Sequence, residues 1–129
     1  MDRTSLRKPK LHFDTSANAS HVTFDDGKGL RRNLPWLHYV EARWDYDAEP
    51  DTVKIEIGDW LVVIRGHNLG PLFQAIEDHM LTRVRAQPVP GAENQDNMDT
   101  FATEIRFLRL PPGRLAGNGL GQIEFDLTR

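Results

Sequence analysis

Apolar and polar positions between Val53 and Arg85 change their period from one stretch to the next, and each change marks an element. Val53, Ile55 and Ile57 alternate with Thr52, Lys54 and Glu56, the period-two signature of a half-buried strand. Gly58-Asp59 supplies a tight turn, because Gly accepts the positive φ that a short hairpin needs. Trp60–Arg65 then returns as a near-continuous apolar run, expected to be a strand covered on both faces. Leu69, Leu72, Phe73, Ile76 and Met80 fall on one stripe at helical spacing, with Gln74, Glu77 and Asp78 opposite. This predicts the main helix, over about residues 69–80. Asn68 or Gly70 is the expected N-cap and Pro71 fits the first turn. Leu81–Arg85 leaves the helix as another strand.

The flanks read as short strands joined by turn signals. Leu11 with Phe13, and Val22 with Phe24, suggest two strands joined by the small residues Ser16–Ser20. Asp25–Gly29 is a dense turn that should close a hairpin onto the strand entered at Leu30. From Trp36, the even positions Trp36, His38, Val40, Ala42, Trp44 and Tyr46 give one largely apolar strand face. Phe101–Leu110 and Gln122–Thr128 resume strand alternation. The stretches near 88–100 and 111–121, rich in Pro and Gly, read as mobile loops, and residues 1–10 as a flexible basic tail. The expected fold is a single α+β domain over 11–129. It is mainly antiparallel, either a strongly bent sheet or a partly open β-barrel or roll with one main helix. Ile64 and Phe73 are expected in the core.

Composition narrows the chemistry. With 129 residues the chain can bury a core without staples, and it has no cysteine. Disulfides, thiolate metal sites and cysteine nucleophiles are therefore excluded. The first residues are basic but lack a following apolar segment, so a cytoplasmic, non-membrane protein is expected. A formal net charge of −3 makes no electrostatic case for a polyanionic partner.

Several constellations nonetheless carry possible chemistry. Asp45, Asp47, Glu49, Asp51 and Glu56 mimic the ligand spacing of a calcium loop, but Pro50 stands where that loop needs glycine. His12, Asp14 and His21 would form a set that divalent metals accept, if the first two strands paired as a hairpin. Arg65, His67 and Asn68 precede the helix N-terminus, a setting that suits anions. Arg31, Arg32, Trp36, Tyr39 and Arg43 interleave cations with aromatics, as single-strand nucleic-acid surfaces do, and Arg83, Arg85, Arg106 and Arg109 extend that set. No serine-nucleophile elbow or nucleotide-binding glycine motif occurs. The reading that needs no missing residue is a non-enzymatic binding or assembly module without a cofactor. It would associate as a small homo-oligomer or with a protein partner, through an exposed strand edge and an aromatic anchor such as Trp36, Tyr39 or Trp60. The alternatives are a single-stranded nucleic-acid binder and a metal-dependent enzyme built on His12, Asp14 and His21.

Overall fold

In the computed structural model, which describes residues 11–87 and 99–111, eight strands and one helix follow one another. They are β1 (Phe13–Thr15), β2 (His21–Asp25), β3 (Arg31–Pro35), β4 (Tyr39–Asp45), β5 (Asp51–Ile57), β6 (Trp60–His67), α1 (Gly70–Glu77), β7 (Leu81–Arg85) and β8 (Phe101–Arg109). The expected tail 1–10, most of the expected loop 88–100, the loop from 112 onward and the strand Gln122–Thr128 lie outside the described residues. Asp99 and Thr100, at the end of the first loop, are buried. The Thr100 carbonyl accepts the His12 N–H at 3.1 Å, so these two residues belong to the packed domain.

Two four-stranded sheets form, in the orders β1-β7-β2-β3 and β4-β5-β6-β8, and neither closes into a barrel. Pairing is antiparallel except between β2 and β7, which run parallel. Val22, Phe24, Leu81 and Val84 from the first sheet meet Val53, Ile55, Ile57, Val62, Ile64 and Ile105 from the second in one core. At one corner the sheets are stitched by the bridges Ala86↔Ala102 and Leu11↔Thr100. Elsewhere Arg32, on the inner face of β3, crosses to the second sheet, its guanidinium 3.7 Å from the Trp60 ring centre and 5.1 Å from that of Phe107. A planar, weakly hydrated cation suits such a stack.

The β5–β6 hairpin turns at Gly58, which holds φ 61°, and pairs Val53 with Ile64 and Ile55 with Val62. Helix α1 is shorter than its apolar stripe suggests, and both ends have a physical cause. At its start Leu69, rather than Asn68 or Gly70, is the N-cap, with no capping bond from its own side chain. The Asp51 carboxylate, eighteen positions upstream in sequence, accepts the Leu69 N–H at 2.9 Å instead. At its end His79 takes φ 55°, its N–H reaching the Ile76 carbonyl while the Met80 N–H reaches that of Ala75. That pair of bonds is the Schellman stop, formed here without glycine. Ile64 is fully buried, whereas Phe73 is only partly buried against the core's edge.

The strand expected from Trp36 also changes form. Trp36–His38 is a short 3-10 turn, and a register shift between Tyr39 and Glu41 makes Val40 a bulge. The bulge inverts the expected alternation: Tyr39 packs on the core, while Val40 is 42% exposed. Ala42 and Trp44 resume the inward phase.

Candidate functional site

The residues singled out by sequence do not converge on one place. His12, Asp14 and His21 are not gathered, because β7 lies between β1 and β2 in the sheet. Asp14 pairs across to Arg83, and Arg83 in turn neighbours Thr23. His12 sits edge-on to Phe101 and beside Gln87, and His21 is hydrogen-bonded to Ser20 at 3.0 Å. Among the described residues, no group of three His, Asp or Glu side chains is placed to hold a metal ion. In the acidic loop, Asp51 is occupied with the helix start, as described above.

The cations divide between opposite surfaces. Arg31, Arg83 and Arg85 lie on the outer face of the first sheet. Arg43, Arg65 and Arg106 lie on the outer face of the second, and Arg32 and Arg109 stack on Trp60. His67 stacks on Phe101 at 5.4 Å, and the Asn68 carbonyl accepts the Thr100 hydroxyl at 2.7 Å.

Asp25 organises the first outer face. Its carboxylate accepts the Gly27 N–H at 2.8 Å and the Arg31 Nε–H at 3.0 Å, with Arg85 at 3.8 Å. The Gly27 bond above all, then Arg31 and Arg85, hold the carboxyl below its ordinary value against the opposing effect of burial. A depressed folded pKa contributes stability that is complete above the ordinary aspartate range and is lost as pH falls through the folded value. Urea midpoints measured from about pH 7 down to about pH 3 are therefore expected to fall more steeply for the wild type than for Asp25→Asn. Parallel curves would show that Asp25 carries no such linkage.

The β3–β4 corner is built differently. Trp36 is buried, its indole N–H donating to the Leu81 carbonyl at 3.0 Å, and its own N–H reaches the Ser20 carbonyl at 2.9 Å. His79 stacks parallel on the Trp36 ring at 4.9 Å, and Tyr39 meets both rings edge-on. Burial, with Glu41 and Glu77 nearby, holds the Tyr39 phenol above its ordinary value. The Gly58 N–H ties the other side of the turn to the His38 carbonyl at 2.8 Å. This rigid mount carries Leu37, which is 89% exposed. Beside it lies a groove of about 290 Å³ lined by Leu34, Pro35, His38, Ile57, Gly58, Asp59 and Trp60. On the outer face of the second sheet the row Glu41, Glu56, Leu61 and Leu108 is half acidic and half apolar, with Val40 exposed on the bulge at the β4 edge.

Leu37 and Leu34 escape a reading of the sequence, because a lone leucine within an apolar run carries no sign of exposure. Of the aromatic residues suspected as anchors, Trp36 is buried and Tyr39 and Trp60 are partly buried; the first two form the mount of this corner and Trp60 a wall of its groove. No helix among the described residues is long and apolar enough to cross a membrane. Comparison with protein-family models, with curated proteins and with solved structures finds no match.

Proposed function

We propose that the protein is a non-enzymatic assembly module that pairs with a second copy of itself through the β3–β4 corner. The observation that carries this reading is Leu37, 89% exposed on a turn fixed by Trp36 and Gly58. A mobile loop hides an apolar side chain at little cost. A rigid turn that presents one to water beside further apolar surface keeps that surface ready for a partner without an ordering cost on contact.

The choice of occupant follows from where the groove lies. A projecting leucine and a groove with Leu34, Pro35 and Trp60 in its wall, adjacent on the same corner, are self-complementary. A two-fold axis through the corner seats each Leu37 against the other copy's Leu34 and Trp60, which gives a closed, isologous contact. The nearby edge of β4, with Val40 exposed on its bulge, enlarges the surface that such a contact covers. Asp59 and Arg109, 3.6 Å apart at the rim, supply the polar border usual around an apolar centre.

Sedimentation equilibrium tests the reading. The wild type is expected to sediment as a dimer, and Leu37→Asp as a monomer that still unfolds cooperatively, because Leu37 is exposed and lies outside the core. A wild-type monomer at all concentrations, or a dimer that persists in Leu37→Asp, would overturn it.

A further inference from the structure

A second cleft, of about 760 Å³, opens between the outer face of the second sheet and the loop joining β4 to β5, away from the corner discussed above. We propose that it is a binding site for a small phosphate-bearing molecule.

Its floor is cationic by construction. Arg43, Lys54 and Arg65 project from the adjacent strands β4, β5 and β6 on one face, Arg43 directly opposite Lys54 and Arg65 opposite Thr52. Like charges on neighbouring strands repel, and a sheet tolerates them where counter-charges answer them. Arg43 is answered through one terminal nitrogen, which contacts Glu41 at 2.7 Å and Glu56 at 3.8 Å. Its other terminal nitrogen is buried with no hydrogen-bond partner. Arg65 has Glu104 at 3.5 Å, a contact that Glu104 shares with Arg106 at 3.7 Å. Lys54 has no ion pair among the described residues. The Trp44 indole, which also lines the cleft, holds a buried N–H without an acceptor.

A lysine with no ion pair among the described residues, beside two arginines already paired with carboxylates, together with two buried donors lacking acceptors in the same lining, points to an acceptor-rich anion. Unsatisfied buried donors are rare, and each costs stability until an acceptor arrives. A phosphate monoester brings nearly two negative charges at neutral pH and three acceptor oxygens, whereas a carboxylate brings one charge and two. The size of the cleft suits a small organic ligand. Asp45 and Glu49 also line the cleft, and a strand carrying many phosphates meets more of their repulsion than a single phosphate group does. The occupant is thus a compact molecule with one phosphate group rather than a nucleic-acid strand.

Proton–nitrogen correlation spectra recorded during titration with inorganic phosphate, against sodium chloride at matched ionic strength, test the assignment. The amides of Arg43 and Lys54 and the Trp44 indole are expected to shift and saturate with phosphate alone. Lys54→Met is expected to weaken binding at least tenfold. Arg83→Met, on the outer face of the other sheet, is expected to leave it unchanged. Shifts that chloride reproduces, or undiminished affinity in Lys54→Met with core resonances unmoved, would overturn the site. Saturation by succinate at lower concentration than by phosphate would overturn the choice of phosphate. None of these residues lies in the β3–β4 corner, so the site stands or falls independently of dimer formation.

Discussion

Phe24→Ala is expected to destabilise the domain by about 4 kcal/mol, enough to consume a large part of the stability of a chain this size. Phe24 is fully buried and among the largest side chains in that condition. It sits on β2, an interior strand of the first sheet, between Val84 of β7 and Arg32 of β3. Truncation removes the transfer energy of an aromatic ring and leaves a cavity that pairing on both sides of β2 prevents from collapsing. Chemical denaturation of the purified variant measures the loss. A change below about 1.5 kcal/mol, the scale of a well-tolerated core exchange, would mean that the two sheets do not share the core described above.

Gly66→Ala is the second severe change, with a different origin. Gly66 lies on β6 where the register against β8 shifts, opposite Ala102. A methyl group added there would overlap the Phe101 carbonyl and come within 2.8 Å of the Ala102 Cα. Both obstacles are backbone atoms of the adjacent strand, so no rotamer change relieves the overlap, and β6 and β8 must separate locally. The expected cost is about 3 kcal/mol, at the upper end for overpacking. It should appear in calorimetry as a lowered melting temperature with loss of amide protection in β8. Gly70→Ala serves as the contrast: its added methyl would meet the end of the Trp44 ring at 3.1 Å, a side chain that can give way. Equal melting temperatures for the wild type and Gly66→Ala would show that the close approach of β6 and β8 is wrong.

These two positions illustrate what the sequence makes legible. The alternation of Val53, Ile55 and Ile57, the turn at Gly58, the Asp25–Gly29 hairpin and the apolar stripe from Leu69 to Ile76 are local patterns, and each matches an observed element. Phe24 could be assigned to a strand by the same means. The insertion of β7 between β1 and β2 could not, because strand order depends on pairings some sixty positions apart that leave no local periodicity. That single insertion separates His12 and Asp14 from His21.

Helix α1 shows the same division at smaller scale. Its stripe is visible in the sequence, but its ends are set by Asp51 from a distant strand and by His79 in a conformation usually left to glycine. The bulge at Val40 inverts the expected facing of Tyr39, a one-residue slip that no alternation count detects. The corner is hidden for a related reason. Leu37 reads as one more apolar residue of a strand and gains its meaning only when Trp36 is seen to be pinned beneath it. Lys54 reads as the polar partner in an alternating strand. Its neighbours Arg43 and Arg65 become visible only through the register of β4, β5 and β6.

The self-pairing of the β3–β4 corner is tested most directly by nuclear Overhauser effects between copies, in a sample that mixes isotope-labelled with unlabelled protein. Cross-peaks are expected from the Leu37 methyl groups of one copy to the Trp60 ring of the other. Intermolecular contacts confined to any other surface, or none at concentrations where the protein sediments as a dimer, would contradict it.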